Sequence, residues 1–354
     1  MDILSILRMA KERSASDVHL IVGSPPSLRI HGALQPADEK APLTPDDLVQ
    51  ALAQIVSEEQ REQFQEKLEL DLGFTVPSIG RFRCNVAKQR GTISLAIRLL
   101  PLEIPTLESM QLPEICRELV VKPRGLVVVT GPTGSGKSTT IAAMLNYLNH
   151  TGRRRVVTVE DPIEYVYSNV RCIFTQRELG SDTFSFAQAL RHILRQDPDV
   201  ILVGEIRDLD TADAVLTLAE TGHLILTTGH APSTYQAVQR IVDLFPPHER
   251  SLAHARLASL VVGILCQALV PRADGKGRVA AVEIMLGNPA VKSLIREGKI
   301  HQLPNVIRTH ARMGMKLLDQ ALLELYHAKT ITSENVLAFC NDQEEVQKLM
   351  AGVV

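Results

Sequence analysis

The chain of 354 residues contains no tryptophan, and aromatics make up 4% of it. Its formal net charge is −2. Proteins that move along single-stranded nucleic acid use stacking aromatics and a basic stripe. Neither is present, so no nucleic-acid partner is expected. Five cysteines (Cys84, Cys116, Cys172, Cys266, Cys340) lie scattered without a C-x-x-C pair. That spacing excludes the usual thiolate zinc site and a disulfide framework, and it suits a reducing compartment. The most apolar stretch, Leu257 to Val270, is interrupted by Ser259, Gly263 and Gln267 and is too short to cross a bilayer. The first residues, Met1-Asp2-Ile3-Leu4-Ser5-Ile6-Leu7-Arg8, place an acid early and read as an amphipathic helix rather than a cleaved leader. The expected location is the cytoplasm.

What the chain does have is Gly131-Pro132-Thr133-Gly134-Ser135-Gly136-Lys137-Ser138-Thr139, which fits G-x-x-x-x-G-K-[ST] at every required position. A β-branched run, Gly125 to Thr130, precedes it. Ile141, Met144, Leu145 and Leu148 follow at helical spacing. Strand, glycine loop and helix form the context of a phosphate cradle. Backbone N–H groups there turn into one hollow, and the helix N-terminus adds positive potential. In such a cradle Lys137 reaches the β- and γ-phosphates of ATP, and the Ser138 hydroxyl ligates Mg²⁺.

Residues 1–100 read as a small α+β domain: a helix through about Lys11, alternating strands at Asp17–Val22 and Ser27–Gly32, and a helix over Thr44 to Leu68 that Thr44 caps and Pro45 opens. Strands follow at Gly80–Val86 and Ile93–Leu99. Alternation puts Arg81, Arg83 and Arg98 on a polar face, either as solvated charges or as contacts to a nucleotide phosphate. Pro101, Pro105 and Pro113 mark residues 101–113 as a linker. Residues 114–354 then form the nucleotide-binding domain. Arg153-Arg154-Arg155 reads as a solvated turn. Val156–Val159 reads as a buried strand with Glu160, Asp161 and Glu164 beyond its end, on the ligand-binding edge or as a helix cap. A helix over Phe184 to Gln196 carries Arg191 and Arg195 on one face. Val200–Val203 leads to Glu205, the acid expected to hold Mg²⁺. His223 and His230 bracket a strand and are candidates for the γ-phosphate region. Leu257–Val270, Ala290–Glu297 and Leu317–Tyr326 read as helices.

Four segments in order, Gly131–Thr139, Glu160–Glu164, Val203–Asp208 and Gly222–His230, resemble the Walker A, Asp, Walker B and His boxes of the type II/IV secretion ATPases. Thr175–Gly180 also matches that family, and Ser16–Leu20 and Leu294–Gln302 resemble its pilus-retraction branch in particular. The four-cysteine insertion common in the extension and secretion relatives is absent. The resemblance implies a PAS-like N-terminal domain, a RecA-like P-loop ATPase domain with a helical C-terminal part, and a homohexameric ring. It further implies ATP between the two domains, domain rotation as output, and a pilus platform protein of the inner membrane (PilC-like) as partner, with other pilus ATPases as further partners. Glu164 is then expected as the water-activating base, with Glu160, Glu205, His223 and His230 beside it, and with Arg81, Arg83, Arg191 and Arg195 near the nucleotide. Two segments depart from the family's usual pattern. Gly229-His230-Ala231-Pro232 stands in the His box, and Ala290-Val291-Lys292-Ser293-Leu294 stands where the retraction branch carries Ala-Ile-Arg-Asn-Leu. The expected activity is an ATP-driven retraction motor, with a paralogous motor or the motor of a related pilus system as the alternative.

Overall fold

The computed structural model describes residues 1–30, 32–37, 41–100 and 103–351. His31, read at the end of a strand, and Pro101, read at the start of the linker, lie outside this set. Contacts divide the chain into two compact units, Met1–Glu103 with Pro162–Val166, and Ile104–Asp161 with Tyr167–Val354.

The first unit is an α+β domain. Helix α1 (Ile3–Glu12) is capped by Asp2, whose carboxylate accepts from the Leu4 N–H at 3.0 Å. Strands β1 (Asp17–Ile21), β2 (Ser27–Ile30) and β3 (Ala33–Pro36) precede helices α2 (Pro45–Ala53) and α3 (Glu58–Lys67), and β4 (Glu69–Val76), β5 (Gly80–Gln89) and β6 (Thr92–Leu99) follow. They form one antiparallel sheet in the order β3-β2-β1-β6-β5-β4. Its core gathers Ile3, Ile6 and Leu7 of α1 with Val18, Leu28, Phe82, Val86 and Ile97. The single helix expected over Thr44 to Leu68 is two. Thr44 does cap α2 and Pro45 does open it, but Ser57 then starts a second capping box with Gln60, and the helix restarts there.

The second unit is built on a seven-stranded sheet. In chain order it contains α4 (Ile115–Val120), β7 (Gly125–Thr130), α5 (Lys137–Thr151), β8 (Arg155–Glu160), β9 (Ile173–Glu178), α6 (Phe186–Ile193), β10 (Val200–Glu205), α7 (Leu209–Glu220), β11 (Leu224–Thr228), α8 (Thr234–Asp243), α9 (Arg250–Leu260), β12 (Val261–Pro271) and β13 (Arg278–Leu286). Five helices close it: α10 (Pro289–Arg296), α11 (Leu303–Thr309), α12 (Leu318–His327), α13 (Ser333–Phe339) and α14 (Gln343–Met350). The sheet order is β13-β12-β7-β11-β10-β8-β9, parallel except for β13. Every residue of β7 is buried, as a parallel strand covered on both faces requires. Among the described residues no helix is long and apolar enough to cross a membrane.

Three expectations are corrected here. Leu257–Val270 is not one helix: α9 ends at Leu260, and Val261–Pro271 is strand β12, paired with β7 and β13. A short apolar run looks alike as buried helix or buried strand, and here the free edge of β7 claims it. The helix expected over Phe184 to Gln196 ends at Ile193, and Leu194–Gln196 is a 3₁₀ turn. Arg154 and Arg155 are half-buried rather than solvated. Arg154 donates to the carbonyls of Lys122 (2.7 Å) and Val121 (2.9 Å), and Arg155 to that of Gln196 at 2.5 Å. Burial holds the Cys116 thiol up at about 12, which makes it a packing residue and no nucleophile.

Candidate active site

All parallel strands of the second sheet end on one edge, and the phosphate-loop motif lies there. From Thr130 at the tip of β7 the chain turns through Gly131–Gly136 and enters α5 at Lys137. Gly131 has φ +140°, and a Cβ there would come within 2.3 Å of the Gln267 carbonyl oxygen. Gly136 caps α5 in the left-handed region at φ +87°. Only glycine fits the first position and glycine is strongly favoured at the second. Lys137 is 8% exposed, and its Nζ donates to the carbonyls of Gly131 (2.9 Å) and Pro132 (3.0 Å), so the ammonium lies across the hollow. The Ser135 hydroxyl is buried with no hydrogen-bond partner among the described residues. An orphaned hydroxyl beside a glycine hollow is what a ligand's polar atoms would satisfy. Pro132 and Thr133 are exposed, and Ser138 and Thr139 are half-buried on the first turn of α5.

Sequence reading missed the brace beneath this loop. Gln267, 1% exposed on β12, donates through Nε2 to the Ser135 carbonyl at 2.7 Å and accepts from Thr140 Oγ1 at 2.6 Å. One amide thus ties the loop to both β12 and α5. A polar residue interrupting an apolar run was the available signal.

The acids stand on neighbouring strand tips. Glu205 ends β10, and its carboxylate pairs with Arg207 and lies 3.2 Å from His230 Nε2. Arg207 also reaches Asp161 Oδ2 at 3.4 Å, and its hydrogen bond to Glu205 holds its guanidinium above the usual arginine range. Thr130 Oγ1 donates to the Ala231 carbonyl (2.9 Å) and accepts from the Ala231 N–H (2.8 Å), which pins the His-box turn to the tip of β7. Thr228 Oγ1 donates to the Gly204 carbonyl at 2.6 Å and locks the tips of β11 and β10 together. Glu160, at the tip of β8, is 9% exposed and accepts from Thr158 Oγ1 (2.7 Å) and Gln176 Nε2 (3.3 Å). No helix follows β8 before Ile173, so Glu160 and Asp161 are not a helix cap.

Other candidates fall elsewhere. His223 precedes β11, at the opposite end of that strand from His230. Its carbonyl accepts from the N–H of Gly125, where β7 begins, and its Nδ1 lies 3.0 Å from the Leu218 carbonyl. Five strand residues separate the ends by roughly 16 Å, so the two histidines do not share one site within the chain. Arg191 on α6 and Arg195 in the following turn are exposed and form no ion pair among the described residues. Glu164 is exposed in the segment that packs with the first unit. There Arg81 donates through Nε to the Ile163 carbonyl at 3.3 Å and through Nη1 to Thr75 Oγ1 at 3.3 Å, so Arg81 lies beside the Asp-box segment. Arg83, on the same face of β5, is exposed.

Behind the His-box turn lies a buried carboxylate. Glu283 of β13, 1% exposed, accepts from Thr234 N and Thr234 Oγ1, both at 2.6 Å, and from Leu318 N at 3.2 Å. It joins the N-terminus of α8, which directly follows the turn, to that of α12. Burial raises its pKa above 4.5 despite the bonds from Thr234 and Leu318. The folded state therefore holds this proton more firmly than the unfolded one, and the group's contribution to stability is lost as pH rises above 4.5 through the folded value. Glu283→Ala leaves three donors unmatched over a cavity and should cost about 2–5 kcal/mol. Glu283→Gln should cost less, with a penalty that shrinks from pH 5 to pH 8. Urea melts at the two pH values check both, and a pH-independent Gln penalty would contradict the burial argument.

The class that this fold and this site define is a P-loop ATPase with a RecA-like core, an N-terminal α+β domain and a helical C-terminal part. The chain belongs to the family described as type II/IV secretion system protein, which matches residues 3–337. It is 42% identical over 335 residues to the type IV pilus retractation ATPase PilT of Pseudomonas aeruginosa, covering 95% of this chain and 97% of that one. It is 39% identical over 350 residues to the type IV pilus ATPase PilU of the same organism, covering 99% and 91%. The crystal structure of the pilus retraction motor PilT with bound ADP superposes with a TM-score of 0.92 at 42% identity, covering 98% of this chain and 99% of that one.

Proposed function

We propose that this chain is a cytoplasmic motor that hydrolyses ATP to retract a type IV pilus. The observation that supports it most is the meeting of buried Lys137 and the Glu205–His230 pair on one sheet edge, in a chain that resembles a retraction motor along nearly its whole length. In this reading the triphosphate lies in the Gly131–Thr139 cradle. The Lys137 ammonium exchanges the Gly131 and Pro132 carbonyls for phosphate oxygens. The oxygen donors of Ser138 and Glu205 suit a hard cation, and Mg²⁺ bound there would neutralise charge on the β- and γ-phosphates. Glu205, steadied by Arg207, orients the attacking water, and Glu164 is our choice for the base that takes its proton. Arg81 and Arg83 are our candidates for contacts to a nucleotide phosphate, of this chain or of a neighbouring copy. Arg191 and Arg195, exposed and without an ion pair among the described residues, are available to a nucleotide in a neighbouring copy of the chain.

The finer reading is a homohexamer in which turnover rotates the N-terminal domain against the ATPase domain. Its working partner would be a platform protein of the inner membrane, where the ring docks peripherally. A second reading, a PilU-like paralogue, draws support from the 39% identity to PilU and from Lys292-Ser293 in the Ala290–Leu294 segment. Deletion of the gene tests the direction of movement. Excess unretracted surface pili, counted by electron microscopy, are expected, and loss of pili would overturn retraction in favour of extension.

A further inference from the structure

A cavity of about 220 Å³ lies beside Glu205. Strand-tip residues Thr130, Glu205 and Thr228, with Arg207 and His230, line it together with Arg240 of α8. Arg240 is exposed and has no hydrogen bond or ion pair among the described residues. The acid nearest it in its own helix turn, Asp243, is engaged by Arg250 at 3.4 Å and by Gln239 at 3.0 Å. The Glu205 charge is offset by Arg207. The cavity therefore holds one uncompensated charge, and it is positive.

We propose that this cavity is the exit route for inorganic phosphate, with Arg240 as the residue that draws the anion out. The inference rests on the ATPase reading and follows from the geometry of in-line displacement. Water attacks the γ-phosphorus on the side opposite the β-phosphate. The cleaved phosphate is then closed in on one side by ADP, held in the cradle of Gly131–Thr139, and on the other by the groups that oriented the water. Of those groups, Glu205 and the Arg207 that steadies it line the cavity. His230 lines the route beside Glu205, and Arg240 supplies a planar, permanently charged fork suited to phosphate. Phosphate can thus leave while ADP remains bound.

The test uses the full-length protein and two variants. Arg240→Gln removes the charge from a surface position that makes no side-chain bond among the described residues, so the variant folds, and Arg240→Lys restores charge without the fork. Quenched-flow measurement gives the cleavage rate, and a fluorescent phosphate sensor gives release in the same single turnover. In the wild type, release keeps pace with cleavage. In Arg240→Gln, release should lag by about tenfold, the cost of roughly 1.4 kcal/mol of lost attraction, so that cleaved phosphate accumulates on the protein. Arg240→Lys should recover most of the rate. Release in Arg240→Gln as fast as in the wild type overturns the exit route and leaves the ATPase reading standing. A wild-type chain that cleaves no ATP overturns the ATPase reading itself.

Discussion

Lys137→Ala is expected to lower ATP turnover by on the order of 10³-fold while the chain still folds. The side chain is 8% exposed and donates to two carbonyls of its own loop, so it is already bent into the hollow and loses little freedom on meeting a phosphate. Charge on the transferred phosphoryl group grows in the transition state, and in a site sheltered from water a fixed cation there is worth far more than on the surface. Alanine removes that charge from a side chain outside the apolar core: α5 is held by Ile141, Met144, Leu145 and Leu148, and Gln267 still braces the loop from β12. Lys137→Arg should also fail, because a planar fork cannot take the path of a compact ammonium through so narrow a loop. Steady-state phosphate release at saturating ATP, with circular dichroism as the control for folding, checks both. Turnover of a well-folded Lys137→Ala within tenfold of the wild type would place the triphosphate somewhere other than this loop.

The candidate site was legible where local chemistry dictates local shape. The glycines, Lys137 and Ser138 are fixed by the geometry of one short turn, and Glu205 follows an apolar strand that has few alternatives. It was less legible where the sheet decides. Val261–Pro271 pairs with β7 through contacts far apart in sequence, and its composition suits a buried helix equally well. Misreading that strand hid Gln267, the residue that braces the phosphate loop. Placing His223 required knowing that β11 runs parallel to β7, so that only its C-terminal end reaches the ligand edge. Arg154 and Arg155 read as surface charge because nothing local reveals the carbonyls of Val121, Lys122 and Gln196 that receive them. In the first unit, Ser57 and Gln60 form a capping box that sequence alone displays, and a longer apolar spacing masked it.

Glu205→Gln separates binding from chemistry. The residue ends β10 one strand away from β11 and two from β7, and its side chain is held by Arg207 and by His230 at 3.2 Å. Neither partner belongs to the cradle that takes the phosphates. ATP affinity should therefore stay within a few-fold of the wild type, while turnover falls by roughly 10²–10³-fold, because in the proposed reading the lost charge acts on the attacking water rather than on the bound ground state. Glutamine keeps the size of the side chain, and an Arg207 released from it still has Asp161 at 3.4 Å, so the strand tips should not rearrange. Equilibrium binding of a fluorescent ATP analogue and single-turnover hydrolysis measure the two quantities separately. Glu164→Gln, measured alongside, should show the same split if Glu164 accepts the water's proton. Parallel loss of affinity and turnover in Glu205→Gln would make Glu205 a binding residue. Full turnover would take the attacking water away from the tip of β10 and leave the Asp-box acids to orient it alone.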